Sequence, residues 1–308
     1  MRPFRFGLQT SNAPDAKAWR DKARTAEDLG YAALYIPDHF SDQWGPLVAL
    51  TVAAEATSTL QIGALVFDND YRHPVVLAKE IATLDLVSEG RAIFGLGAGW
   101  MRSDYEQSGL PYDEPAVRVD RFEEAVEVYT QLFREGTATF EGTHYSINGA
   151  VGEPRPTSGG PKLLIGGGGK RVLSHAARHA DIVGINPNLK SGATDQATAQ
   201  SAVADMVDKR IGWIKDAAGE RFDELELQML TFIVQIGGNR KEMAEMMGPA
   251  MGISPEQAHD APLALVGSVE EICDQLVERR ERWGLNDWVV HDAEFEAFGE
   301  IVARLAGT

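Results

Sequence analysis

Short apolar runs alternate with longer amphipathic stretches along the whole chain. Eight runs have the length of buried strands, at residues 4–9, 32–36, 60–66, 92–97, 162–165, 181–185, 227–235 and 288–291. Apolar residues recur every three or four positions in the stretches between them, at residues 16–29, 46–57, 74–87, 119–133, 170–178, 194–217, 269–283 and 293–305. That spacing is typical of amphipathic helices. The pattern therefore predicts eight strands, each followed by a helix.

Eight such repeats favour a (β/α)8 barrel. Short apolar runs fit parallel strands that are buried on both faces. A doubly wound sheet is the alternative, but it usually has fewer strands in a shorter domain. We predict one α/β barrel domain over residues 1–308 with two insertions. The first is a hairpin and loop at about 137–161, and the second is a methionine-rich helical segment at about 237–261, which is either adaptable core or a substrate lid.

Composition limits the partners and the compartment. The chain has 46 acidic and 29 basic side chains, a net charge of −17, which argues against nucleic acid or an anionic membrane as a partner. The single Cys273 excludes an internal disulfide, and His175 and His179 lack the Glu of a zinc motif, so we predict no metal site. No run reaches the ~18 apolar residues of a membrane span. No signal peptide is apparent, and we expect a cytoplasmic protein.

In a (β/α)8 barrel the functional side chains lie at the C-terminal ends of the strands. The second run ends in Asp38-His39. An imidazole can donate or accept a proton near neutral pH, so His39 is the candidate catalytic residue, with a structural role at the barrel rim as the alternative. Asp38 is a candidate for orienting a neighbouring group or for hydrogen-bonding a ligand.

The fifth run continues into Gly166, Gly167, Gly168 and Gly169, and then into the cations Lys170 and Arg171 at a helix start. Glycine backbone can turn its N–H groups toward an oxyanion, and a helix N-terminus with two cations adds positive charge. The loop lacks the Gly-Lys-Ser/Thr of a Walker A motif. It predicts a phosphate site, with a flexible turn as the alternative.

The fourth run ends in Gly97-Ala98-Gly99-Trp100. It lacks the last glycine of a dinucleotide-binding fingerprint, and it belongs to the fourth repeat rather than the first. Glycines at the end of a barrel strand instead favour a flat ring lying close to the backbone.

Several of these segments, in the same order, resemble the luciferase-like monooxygenase superfamily, and within it the oxidoreductases that depend on the deazaflavin coenzyme F420. They are 35–40, 71–74, 95–100, 165–168 and 267–268. The resemblance implies a cofactor ring across the barrel mouth, against Gly97, Ala98 and Gly99, with its phosphate on residues 166–171. It also implies a non-prolyl cis peptide at Leu65-Val66 behind the ring, and Asp38 and His39 near the reactive ring carbon.

The resemblance further implies hydride transfer between F420 and a small organic substrate, in a homodimer. A flavin or F420 reductase is the partner that would supply reduced cofactor. Three alternatives stay open: a two-component monooxygenase with FMN, a non-redox barrel enzyme acting on a phosphorylated metabolite, and a cofactor-binding protein without turnover. Trp100 stands where sugar-phosphate dehydrogenases of this family have a catalytic Glu. Glucose 6-phosphate is therefore not implied as substrate, and Trp100 predicts a flatter or more hydrophobic one.

Overall fold

A barrel of parallel strands forms the centre of the computed structural model, which describes residues 1–157 and 159–308. The strands are β1 (Arg5–Gln9), β2 (Ala33–Ile36), β3 (Gln61–Ala64), β4 (Phe67–Asp68), β5 (Ala92–Gly97), β6 (Thr137–Glu141), β7 (Ser146–Val151), β8 (Lys162–Gly167), β9 (Ile182–Ile185), β10 (Glu226–Leu230), β11 (Ile233–Ile236), β12 (Ala264–Gly267) and β13 (Asp287–His291). The helices are α1 (Ala16–Asp28), α2 (Pro46–Ala56), α3 (Pro74–Val87), α4 (Arg102–Ser108), α5 (Pro115–Thr130), α6 (Lys170–His179), α7 (Gln196–Gln200), α8 (Ala204–Ala218), α9 (Arg240–Ala250), α10 (Pro255–His259), α11 (Val269–Trp283) and α12 (Phe295–Leu305).

Eight of these strands close the barrel in the order β1, β2, β3, β5, β8, β9, β10 and β13. The ring is completed by parallel pairing of β13 with β1 and of β3 with β5. Every residue of β2 and of β9 is buried, as expected for strands with packed side chains inside and helices outside. The predicted (β/α)8 barrel is confirmed.

The sequence also defines some helix ends. Ser268 and Glu271 form a capping box at the start of α11, and Gly284 ends that helix with a φ of 78°. Pro74 opens α3, where its missing N–H is not needed. The bounds predicted for these two helices, 269–283 and 74–87, agree with the structure.

Three predicted elements are each divided in the structure. The run 227–235 is wrong as one strand: β10 ends at Leu230, and β11 leaves the barrel to pair with β12, which we did not predict. Phe232, at the break, is 47% exposed. The stretch 194–217 forms α7 and α8, separated by residues 201–203. Within the run 60–66 the strand β3 ends at Ala64. Strand pairing resumes in the short β4, which pairs with β5.

Both predicted insertions are present. β6 and β7 form an antiparallel hairpin, in which β7 extends to Val151. The methionine-rich segment forms α9 and α10, where Met243 and Met247 pack against β11 and β12 while Met246 is 69% exposed. Met243 and Met247 therefore belong to the small core of this insertion. Across the described residues, no helix is both long and apolar enough to cross a membrane.

A cluster of charged side chains fills the barrel at the N-terminal ends of its strands. Arg5 Nε lies 3.3 Å from Glu226 Oε2, and Lys162 Nζ donates to Glu226 Oε1 at 2.8 Å. Gln228 Nε2 donates to Asp287 Oδ2 at 2.8 Å. Burial raises the pKa of Asp287 to about 6, and the charge of Arg5 opposes that shift. Both carboxylates of this N-terminal cluster are thus compensated by groups of the chain itself.

Candidate active site

Four neighbouring strands bring the predicted site residues to the opposite, C-terminal edge of the barrel. These strands, β2, β3, β5 and β8, pair in that order. His39 follows the end of β2, the Leu65-Val66 peptide follows β3, and Gly97 and Gly167 are the last residues of β5 and β8. The sequence-based placement of these residues around one mouth is consistent with the barrel order.

The Leu65-Val66 peptide bond is cis, as the resemblance implies. Gln9 Nε2 donates to the Leu65 carbonyl at 3.2 Å. A Cβ on Gly95 would overlap the carbonyl oxygen of Ala64, and a Cβ on Gly97 would lie 2.6 Å from Val66 Cγ2. These two glycines are therefore needed for the bent chain after β3 to pack against β5.

Val66 lies between glycines of two strands. It faces Gly97 on β5, and a Cβ on Gly166 of β8 would be 3.5 Å from Val66 Cγ1. This side of the mouth therefore combines backbone with the Val66 side chain and with the Asn186 amide, whose Nδ2 is 3.3 Å from the Gly166 Cβ position. Such a surface suits a flat ring, which is the role that we predicted for Val66 and Gly97, whereas Gly166 was predicted to bind the phosphate.

His39 is held by a carboxylate that we did not predict. His39 Nδ1 and Asp104 Oδ2 are 2.6 Å apart, and the side chains are 22% and 1% exposed. Tyr71 Oη also donates to Asp104 Oδ2, at 3.1 Å, and burial raises the pKa of Tyr71, so that its hydroxyl keeps its proton. When Asp104 carries its negative charge it accepts from Nδ1–H, which leaves Nε2 of the neutral imidazole as a proton acceptor.

The aromatic side chains nearest to His39 in the chain and in space are Phe40 and Trp100. The Trp100 ring packs edge-on against His39, with centroids 5.6 Å apart and an interplanar angle of 89°. Phe40, beside His39 in the chain, is 46% exposed, and its ring centroid is 4.7 Å from that of Tyr71. The side of His39 that faces Trp100 is therefore aromatic, as expected for the substrate environment that we predicted from Trp100.

Asp38 points into the protein instead of lying beside His39. Its Oδ2 accepts from Arg72 Nη1 at 2.5 Å and from the Asp68 backbone N–H at 3.1 Å, while Oδ1 accepts from Arg72 Nη2 at 3.1 Å. The side chain is 5% exposed. Both of its oxygens are thus engaged in a bidentate ion pair that ties the end of β2 to the segment after β4. This geometry gives Asp38 a structural role, and the predicted ligand contact has no support from it.

A second buried carboxylate lies behind the glycines of β5. Tyr105 Oη donates to Asp68 Oδ2 at 3.1 Å, and a Cβ on Gly99, whose φ is 71°, would overlap that hydroxyl. Burial raises the pKa of Asp68 to about 7, the charges of Asp70 and Asp38 act in the same direction, and hydrogen bonds from the Asp70 N–H and from Tyr105 oppose the shift. Gly99 therefore has a packing role that is independent of the predicted cofactor contact.

The predicted phosphate loop is compact at its base and open at its tip. A Cβ on Gly167 would lie 2.5 Å from Val172 Cγ1, and one on Gly168 would overlap the Pro187 carbonyl oxygen. Gly169 is the N-cap of α6 and is exposed, nothing lies within 4 Å of its Cβ position, and no side chain caps the helix. The N–H groups of the first turn of α6 and the exposed Lys170 thus face an open space.

Arg171 is engaged elsewhere. Its guanidinium binds Glu123 at 3.0 and 2.5 Å and Asp120 at 2.6 Å, both on α5. The hydrogen bonds to Glu123 are the main reason that the pKa of Arg171 is raised. Its charge is therefore compensated within the chain, and Lys170 is the better placed of the two predicted cations.

Sequence reasoning missed two residues, Asp104 and Arg210. Asp104 lies in the first turn of α4, a helix that we did not predict, after the end of β5. Arg210 is 1% exposed, and its Nε donates to the Gly168 carbonyl at 3.0 Å. One signal was available: Arg210 falls on the apolar stripe of α8 that includes Val207, Ile211 and Ile214.

The comparisons with known proteins agree with this geometry. The profile of the family described as luciferase-like monooxygenase matches residues 1–287. The chain belongs to this family. Its predicted membership is thereby confirmed.

The curated relatives carry several different names, among them the following two. An F420-dependent glucose-6-phosphate dehydrogenase of Kineococcus radiotolerans is 34% identical over 58% of this chain and 55% of its own length. A 5,10-methylenetetrahydromethanopterin reductase of Archaeoglobus fulgidus is 31% identical over 59% of this chain and 53% of its own length. The chain thus spans about half the length of these two relatives.

Solved structures share the fold. The F420-dependent tetrahydromethanopterin reductase of Methanopyrus kandleri superposes with a TM-score of 0.77 at 22% identity, over 99% of this chain and 98% of that one. The oxygenating constituent of 3,6-diketocamphane monooxygenase of Pseudomonas putida, in complex with FMN, gives 0.72 at 17% identity, over 99% and 98%. At these identities the likeness establishes the luciferase-like barrel and nothing beyond it.

Proposed function

We propose that this chain is an oxidoreductase that transfers a hydride between coenzyme F420 and an organic substrate. The observation that carries the proposal is the His39–Asp104 pair beside the flat surface of Val66, Gly97 and Gly166. The names of the curated relatives, which include F420-dependent enzymes, support the choice of cofactor.

The residues at the mouth fit the parts of this cofactor. The surface around Val66 offers a flat contact for the ring system, and the uncapped start of α6 with Lys170 offers N–H groups and a positive charge for a phosphate. When bound, F420 supplies a deazaflavin ring carbon that can take up or give up a hydride.

The chain's own contribution is to move the accompanying proton. A substrate that gives up a hydride from carbon and a proton from oxygen or nitrogen needs a base, and Nε2 of His39 is the atom available for that proton. Asp104 fixes the tautomer by accepting from Nδ1 and stabilises the imidazolium once Nε2 is protonated. In the reverse direction the same atom returns the proton.

The aromatic surroundings suggest the kind of substrate. The Trp100 ring packs against His39, the neighbouring Phe40 is half exposed, and neither side chain carries a charge that would pair with a sugar phosphate. We therefore propose a hydrophobic alcohol, carbonyl compound or activated alkene rather than the sugar phosphate named for one relative.

The test is a fluorescence titration of the purified protein with F420 and, separately, with FMN. We expect micromolar binding of F420 by wild type and by His39→Asn, and loss of turnover only in His39→Asn with a panel of hydrophobic alcohols and ketones. Binding of FMN alone would favour the monooxygenase alternative, and binding of neither would overturn the proposal. Tight F420 binding without turnover of any acceptor would leave a cofactor-binding protein.

A further inference from the structure

Arg210 is a buried cation behind the loop of residues 166–171, and it has no carboxylate partner. Its Nε donates to the Gly168 carbonyl at 3.0 Å, and its Nη1 donates to the Ser201 carbonyl at 2.6 Å. Burial alone lowers the pKa of Arg210 to about 10, because no acidic group of the described chain is near enough to oppose it. The guanidinium is still charged at neutral pH.

The chain has 46 acidic side chains against 29 basic ones. Two part-buried arginines of the barrel have carboxylates: Arg72 binds Asp38, and Arg5 lies against Glu226. Among the described residues, Arg118 and Arg279 are buried without a carboxylate, as Arg210 is, but Arg210 differs from them in donating to the loop of residues 166–171. A buried charge without a counter-charge is unfavourable unless another group supplies one. Two carbonyl dipoles satisfy part of the guanidinium but leave its net charge uncompensated.

The bond to Gly168 also sets the direction of a backbone N–H. The only cis peptides among the described residues are Leu65-Val66 and Glu153-Pro154, so the Gly168-Gly169 peptide is trans. In a planar trans peptide the C=O and the N–H point in opposite directions. Because the Gly168 carbonyl points at Arg210, the Gly169 N–H points away from it. No acceptor among the described residues binds that N–H, and the space beyond Gly169 is open.

We propose that Arg210 is a positioning residue that makes the 166–171 loop an anion site, and that the anion is the phosphodiester of the cofactor. It orients the Gly169 N–H outward, and it places an uncompensated positive charge behind the loop while Lys170 lies in front. The bound anion is the missing counter-charge of Arg210. The identity of the anion rests on the proposed function, whereas the anion site itself does not.

The charge is the part of this role that can be separated from packing. In the interior, where solvent screens little, a charge acts over a longer distance than at the surface. Arg210 can therefore stabilise an anion that it does not touch. A purely structural arginine, which only joins Gly168 to Ser201, would give no preference for a ligand with phosphate over the same ligand without it.

The experiment compares two pairs of ligands: FMN with riboflavin, which differ only in the phosphate, and F420 with its deazaflavin nucleoside, which lacks the phosphate and the group esterified beyond it. Dissociation constants are measured for wild type, Arg210→Gln and Arg210→Lys. The control is Arg279→Gln, since Arg279 is also buried and donates to two carbonyls, those of Ala261 and Ala264, away from the loop. Thermal unfolding of each variant is followed in parallel.

We expect Arg210→Gln to weaken binding of the phosphate-bearing ligand about 10- to 100-fold, the size of a lost charge-assisted interaction, and to change the phosphate-free ligand less than about threefold. Arg210→Lys keeps the charge and should retain most of the preference for phosphate. Arg279→Gln should lower the unfolding temperature without changing that preference.

The inference would be overturned if Arg210→Gln weakened the binding of both ligands of a pair equally. It would also be overturned if wild type bound both ligands of a pair with the same affinity. If Arg210→Gln does not fold, Arg210→Lys decides. A purely structural role predicts that Arg210→Lys weakens the binding of both ligands of a pair by the same factor, whereas the proposed role predicts that it keeps the preference for phosphate. If wild type binds FMN but not F420, the proposed function fails, while the FMN and riboflavin pair still tests Arg210.

Discussion

Charged side chains have partners from the chain at the N-terminal end of the barrel, whereas some groups at its C-terminal end lack them among the described residues. At the N-terminal end, Glu226 lies between Arg5 and Lys162, and Asp287 accepts from Gln228, so each charge has a partner from the chain. At the C-terminal end, Nε2 of His39 and the start of α6 are left without partners among the described residues, and Arg210 has no acid. Charges that are paired within the chain contribute to stability, whereas groups without partners are available to bind a ligand.

The largest effect on stability should come from removing a carboxylate at the N-terminal end of the barrel. Glu226→Gln removes the shared carboxylate of three cations, the part-buried Arg5 and the more exposed Arg2 and Lys162, and should lower the free energy of unfolding by about 3–4 kcal/mol, mainly because Arg5 is left unpaired. Urea denaturation measures this change. Cofactor affinity at the far end should be unaltered.

The control for that substitution is Arg282→Gln, which breaks a half-exposed pair with Asp208. Exposed pairs contribute about 0–1 kcal/mol, so this variant should be nearly as stable as wild type. If the two variants lost the same stability, the cluster at the N-terminal end would be no more important than a surface ion pair.

A buried acid at the open end should make stability depend on pH. The pKa of Asp68 rises from 3.8 to about 7 on folding, so the folded state binds more protons than the unfolded state in that interval. The free energy of unfolding should therefore fall as pH rises through this window, by an amount on the order of 3 kcal/mol. Asp68→Asn should flatten this part of the curve, as measured by urea denaturation at several pH values. An unchanged slope would show that Asp68 titrates normally.

The positioning of His39 should affect the rate more than the binding. Asp104→Asn can no longer accept from Nδ1–H as a carboxylate, so His39 loses both its fixed tautomer and the stabilisation of its protonated form. We expect kcat to fall about 100-fold, as for loss of general acid–base assistance, with little change in the affinity for F420. Tyr71→Phe, which removes only the second hydrogen bond to Asp104, is the milder companion. A loss of F420 affinity equal to the loss of rate would assign Asp104 to the cofactor site instead.

The smallest effect concerns the two neighbouring cations of the loop. Arg171 is already paired with Glu123 and Asp120, whereas Lys170 is exposed at the open start of α6. Lys170→Gln should weaken F420 binding about fivefold, and Arg171→Gln by less than about twofold, since a charge that is already compensated adds little. Titrations at low salt measure both. The reverse order would mean that Arg171 exchanges its carboxylates for the ligand.

The barrel could be predicted because its signals are local. Apolar runs and helix caps such as Ser268 with Glu271 act over a few residues, and the cis peptide at Leu65-Val66 followed from a family resemblance. The division of 227–235 could not be predicted, because β11 is a strand only by virtue of pairing with β12, which lies about 30 residues further along the chain.

The site could be predicted only in part, for a related reason. His39 was identified from its place after a strand, but its partner Asp104 comes from a different repeat, 65 residues later. Asp38 was a candidate either for orienting a neighbouring group or for binding the ligand, and the structure places it against Arg72, because successive residues in an extended chain point in opposite directions. Sequence thus indicates which strand ends matter but not which side chains meet there.

The strand pair outside the barrel has a consequence for how this enzyme can be redesigned. β11 and β12 are parallel neighbours paired from Ile233↔Ala264 to Ile236↔Gly267, and the helices between them share a small core of Met243, Ala264 and Val266 with those strands. The two strands also contribute Leu265, Val234 and Ile236 to the main core. We therefore expect homologous segments grafted between Ile236 and Ala264 to be accepted only where β11 and β12 themselves are kept.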